Sequence, residues 1–172
     1  AAGNDSLYYT LPAMMDGVAI TASMSPGRAA QETHTSFGLV YTGVEGLTVK
    51  YGQGDSGAPG AETESTTMMA SYAIGSFTLS ASNTEADNTG AANREVDAYQ
   101  LAYTVSDDIS ITYGSETFDL TGNATDEEVE AFGVSYTSGG MTISANSYEA
   151  KGAGNSATAK SDKWALTAAF AF

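Results

Sequence analysis

The residues of this sequence that could do chemistry are few and scattered. His34 is the single histidine. A hydrolase built on it needs a serine within hydrogen-bond reach and a third group to orient the ring. No pattern in the sequence identifies that serine, so His34 reads as a loop-edge residue and no enzymatic activity is expected. Lys50 lies between Val49 and Tyr51, on the alternating side of Thr48 and Gly52. Two readings stay open for it: a cation on a water-filled face, opposing acidic groups as an electrostatic filter, or a side chain snorkelling at a mouth. Arg94 beside Glu95 and Lys163 before Trp164 read as rim residues. The stretches GQGDSG, NTEADN and NATDEEVE carry enough oxygen to attract a hard cation. None has the EF-hand pattern, and solvated charge is the preferred reading. Ca2+ at acidic outer loops is the one cofactor left open, and none other is expected.

Composition narrows the elements that hold these residues. The 172-residue chain has ten Tyr, six Phe, 19 Gly and only 3 Pro, with much Thr and Ser. That mixture favours strands and tight turns over helices. With 21 acidic residues against 6 basic ones, the net charge is −15. Nucleic acid is excluded as a partner, because phosphate neutralisation needs clustered Lys and Arg. The absence of Cys removes disulfides and thiolate chemistry. No run reaches the roughly 18 to 20 apolar residues of a transmembrane helix, and no signal-peptide pattern opens the sequence.

Period-two alternation runs through the whole chain. The closing WALTAAFAF puts Trp164, Leu166, Ala168, Phe170 and Phe172 on one side. Ten earlier segments do the same, among them Phe37, Leu39, Tyr41; Tyr99, Leu101, Tyr103; and Phe132, Val134, Tyr136. Their opposite sides are small or polar, with almost no charge. A soluble sandwich puts charge on its outer face; here the arrangement is inverted, apolar outside and small-polar inside, as in a transmembrane barrel. On this reading Lys50, Thr48, Thr21, Ser80, Gln100, Thr112 and Ser144 line a pore. Tyr41, Tyr51, Tyr113, Tyr136, Trp164 and Phe172 form interfacial aromatic girdles.

Connections alternate in length: MMDG, GVEG, AIGS, VSDD and SGG are tight, and acidic stretches of about a dozen residues separate them. The long set is expected to form loops on one side, a single negative rim that suggests a preference for cations or neutral solutes. The fold expected is all-β, an antiparallel up-and-down transmembrane barrel, with residues 1–172 as one segment of about eleven strands. Since such barrels have even strand numbers, upstream strands are expected outside this sequence, with AAGNDS as the tail of a further long loop.

The stretch SLYYTLPAMMDGVAITASMSPG resembles the hairpin after the constriction loop of general porins of Gram-negative bacteria, the alphaproteobacterial type in particular. The terminal ALTAAFAF resembles the closing porin strand, whose last aromatic is the assembly signal. The resemblance implies strands six to sixteen of a sixteen-stranded barrel. It implies a homotrimer in the outer membrane, in contact with lipid and lipopolysaccharide, passing ions and small hydrophilic solutes by passive diffusion. It carries no selectivity residue over by position. The rival from another class is a soluble, secreted acidic β-protein of adhesin or surface-layer type, which needs a buried core.

Overall fold

The computed structural model describes residues 6–12, 15–27 and 32–171; the AAGNDS lead-in up to position 5, part of the MMDG turn and Phe172 lie outside them. The strands are β1 (Leu7–Thr10), β2 (Val18–Ser25), β3 (His34–Tyr41), β4 (Leu47–Ala58), β5 (Ala61–Ile74), β6 (Phe77–Asn88), β7 (Arg94–Ser106), β8 (Ile109–Leu120), β9 (Glu127–Ser138), β10 (Met141–Lys151) and β11 (Lys160–Phe170). They hydrogen-bond in the order of the chain as one sheet. The fold is all-β and up-and-down, with one short 3-10 turn at Ala153–Asn155. Two compact units divide the chain: Ala1–Ser71 with Ser82–Glu95, and Tyr72–Ala81 with Val96–Phe172.

In the first unit, alternation and register put apolar side chains in common rows. Val18, Tyr41 and Val49 stand opposite one another, followed by Ile20, Leu39 and Tyr51. The intervening rows are Ala19, Val40 and Lys50, then Thr21, Gly38 and Gly52. In the second unit, Ile109, Tyr136 and Ile143 share a row, as do Ile111, Val134, Ala145 and Leu166. Between those rows run Ser110, Ser135, Ser144 and Thr167. The registers fix which face each side chain takes, since a slip of one residue would exchange the two sets.

Neither unit buries a core of its own. Among the described residues Ala86 is the one buried apolar residue, while Leu79, Leu101, Phe132 and Trp164 are exposed, Trp164 by 81%. Uncovered apolar surface of this extent marks contact with a membrane or a partner. Its transfer out of water is favourable by roughly 25 cal/mol per Å2. The soluble rival needs the opposite arrangement, apolar side chains enclosed and charge outward.

The acidic connections differ from the expectation that they would be long loops. GQGDSG lies within β4 and NTEADN within β6. The β4–β5 connection is only Pro59 and Gly60, so the alternation of short and long joins fails there. Proline presets φ at the first turn position and glycine supplies the positive φ at the second, here 78° at Gly60. The Gly60 amide donates to Glu62 Oε1 at 2.7 Å. The long connections shrank because their Thr, Ser and Glu residues keep the alternation, and each paired residue satisfies its backbone in the ladder instead of in water.

Gly133 is a tightly packed point of the second unit's small-polar face. It is buried, and a Cβ there would stand 2.6 Å from Asn146 Oδ1 and 2.7 Å from Thr112 Oγ1. Gly133→Ala is expected to cost about 1–3 kcal/mol through overpacking. It would be read as a lower midpoint for heat-induced loss of the folded band in gel electrophoresis. Adding Thr112→Ala and Asn146→Ala should recover much of it; an unchanged midpoint for Gly133→Ala would sink the packing account. At the hairpin tip, the Gly60 amide holds the Glu62 carboxyl below the usual carboxylate range. A depressed folded-state pKa contributes order above the unfolded value and loses it as pH falls through the folded one. Protection of the Gly60 amide, taken relative to its intrinsic exchange rate, should therefore be lost as acid titrates the Glu62 carboxyl, and Glu62→Gln should abolish that pH dependence.

Candidate functional site

The small-polar face is the candidate functional surface, and its chemistry is that of paired hydroxyls. In the first unit Ser23 Oγ and Ser36 Oγ lie 2.8 Å apart, and Thr67 and Thr84 hydroxyls 3.1 Å apart. In the second, Ser110 and Ser135 pair at 2.7 Å and Thr137 and Thr142 at 3.1 Å. Each pair joins neighbouring strands across the ladder. A hydroxyl both donates and accepts, so these rows offer exchangeable hydrogen bonds to water or a polar solute without fixed charge.

The residues expected to line a pore fall as follows. Thr21 stands between Thr10 and Gly38, Lys50 opposite Val40, Thr112 opposite Gly133, and Ser144 between Ser135 and Thr167. Thr48 shares the face of Lys50, Ser80 that of Thr78 and Ser82, and Gln100 that of Thr104, by alternation along β4, β6 and β7. Lys50 is exposed.

Tyr41, Tyr51, Tyr113, Tyr136 and Trp164 all stand on the apolar face. The Tyr51 ring lies 6.4 Å from that of Phe37, and its hydroxyl donates to Gln53 Oε1 at 3.0 Å. Tyr113 donates to Glu130 Oε1 at 2.7 Å. Both rings keep an apolar body against apolar neighbours and a polar tip on a polar group, the geometry of an interfacial aromatic. Phe77 and Tyr103 stack at 4.5 Å near the short-turn ends of β6 and β7.

Beyond the aromatic residues the same face turns polar, a feature the sequence reading did not assign. Glu130, Glu149 and Asp162 form one cross-strand row, directly following Phe132, Ser147 and Trp164. Lys151 Nζ lies 3.2 Å from Glu149 Oε1 and 3.7 Å from Glu130 Oε2. In the first unit Gln53 Nε2 donates to Glu64 at 2.5 Å, and Asn83 Nδ2 to Glu95 at 2.9 Å. Asp55 accepts from the amide and hydroxyl of Thr35 and lies 3.9 Å from His34 Nδ1. The signal was available in EEVEAFGVSY, where Glu128, Glu130, Phe132, Val134 and Tyr136 keep one parity.

The outer-loop Ca2+ finds no converging donor set. GQGDSG carries a single carboxylate, Asp55, and NTEADN carries two, Glu85 and Asp87, on one side of β6. Among the described residues no group of three or more His, Asp or Glu is placed to hold a metal ion.

Comparisons with known proteins agree with this surface. The chain matches solved structures of porins and of an outer membrane protein. An anion-selective porin from Comamonas acidovorans superposes with a TM-score of 0.69 at 15% identity, over 85% of this chain and 48% of that one. A porin refined at 1.8 Å gives 0.72 at 17% identity, over 97% and 61%. A loop-deletion form of OmpT, an outer membrane protein of Vibrio cholerae, gives 0.67 at 17%, over 96% and 62%. The chain thus spans about half to three-fifths of these proteins' length, and at such identities the likeness is one of fold. No curated protein matches it. The family described as Gram-negative porin, however, matches residues 1–172. The uncovered apolar face, the hydroxyl-lined reverse and the match over the full sequence agree: the chain belongs to the Gram-negative porin family.

Proposed function

We propose that these eleven strands contribute to the wall of a water-filled channel in the outer membrane, open to ions and small hydrophilic solutes by passive diffusion. The observation that carries the reading is the back-to-back arrangement of an uncovered apolar face and a neutral hydroxyl face on the same strands. Lipid covers the first, and water wets the second. A transmembrane strand must satisfy its backbone groups within the sheet, as the ladders on both sides of β9 and β10 do. Passage needs no reaction and no cofactor. Thr21, Thr48, Lys50, Ser80, Gln100, Thr112 and Ser144 line the water-filled side, and the Tyr and Trp residues named above hold the interface, in contact with lipid and lipopolysaccharide. Family membership supports a homotrimer as the assembly.

Planar-bilayer recording of the detergent-extracted protein that carries this chain tests the reading. Stepwise ohmic conductance, in groups of three for a trimer, is the expected result. Protein that remains in solution without detergent and gives no steps would return the chain to the soluble class.

A further inference from the structure

The charge of this chain is shared unequally between the two faces of its strands. In β6 the parity of Phe77 and Leu79 continues into Glu85 and Asp87. In β7 that of Tyr103 and Leu101 continues into Asp97 and Glu95. In the second unit, the row of Glu130, Glu149 and Asp162 extends the apolar face in direct register. The acidic surplus therefore sits on the face turned to the membrane and its headgroup layer. The hydroxyl face is different. Alongside the apolar rows, its one charged side chain among the described residues is Lys50, between the outward Val49 and Tyr51 and opposite Val40. Other charges of that face, such as Lys163 and Glu116, stand beyond the aromatic rows.

We infer that Lys50, and not the acidic surplus, sets the charge preference of the water-filled side, so that this part of the wall disfavours cations despite the chain's net charge of −15. This rests on the channel reading and reverses the preference that net charge suggests. A carboxylate on the far face acts across the sheet and through electrolyte, where the Debye length is about 8 to 10 Å at ordinary salt. A lysine on the water-filled side acts on ions directly, and low-dielectric walls focus its field on them.

The test is the cation-to-anion permeability ratio from zero-current potentials in a salt gradient, measured on the full porin that carries this chain. Lys50→Glu is expected to raise the ratio several-fold and Lys50→Gln to raise it less. The double variant Glu130→Gln, Glu149→Gln should leave it at the wild-type value. Lys50→Cys, in a chain with no native cysteine, gives an independent measurement. A water-soluble cationic thiol reagent should restore the wild-type ratio after modifying it. The inference is overturned if the outward double variant shifts the ratio as much as Lys50→Glu, or if the thiol reagent leaves the current unchanged. Folded wild-type protein that inserts without conducting would overturn the channel reading itself.

Discussion

Backbone hydrogen bonding is the constraint on which the rest of this structure depends. Inside hydrocarbon an unpaired amide or carbonyl costs several kcal/mol, so a strand can cross only if its whole length is laddered to neighbours. β2 to β10 answer this with a neighbour on each side in chain order, while β1 and β11 have one neighbour each within this sheet. Once pairing is fixed, the pleat dictates everything else: alternate side chains belong to opposite solvents. Among the described residues Tyr and Leu favour one face and Ser, Thr and Gly the other, and Ala86 is the one apolar residue buried.

The division of faces is also where cohesion resides. Cross-strand hydroxyl pairs such as Ser110–Ser135 join strands without adding charge. Glycines such as Gly133 leave room for Thr112 and Asn146 to converge. On the other face, tyrosine hydroxyls reach polar partners at the limit of the apolar rows. Each device is individually modest, worth about 0.2–1 kcal/mol for a cross-strand pair.

Much of this was legible in the sequence. Segments such as Phe37, Leu39, Tyr41 and Ile109, Ile111, Tyr113 announce their faces through a strict period of two, and the structure pairs them as antiparallel strands. The acidic stretches were not legible as strands, because Asp, Asn and Gly are poor strand formers and mark turns by propensity. Pairing overrode propensity there. Glu62 and Glu64 sit opposite a partner strand that absorbs their backbone groups, and only Pro59 and Gly60 turn the chain. The parity of Glu95, Asp97 and Tyr99 was readable, yet a residue taken for a loop has no face to be assigned. Which groups meet, such as Asn146 and Thr112 around Gly133, depends on the inter-strand register, and no single strand's pattern encodes that.

The bonds from Tyr51 to Gln53 and from Tyr113 to Glu130 have a mechanical consequence. Each ties a ring of the apolar face to the first polar group beyond it, and in the second unit that group sits in a row of carboxylates. Sinking the strands deeper would drag ionised groups into hydrocarbon; raising them would strip lipid from Trp164 and Leu166. The vertical position is thus clamped from both sides, so a bilayer of the wrong thickness has to stretch or thin around the strands, at a fraction of a kcal/mol per Å.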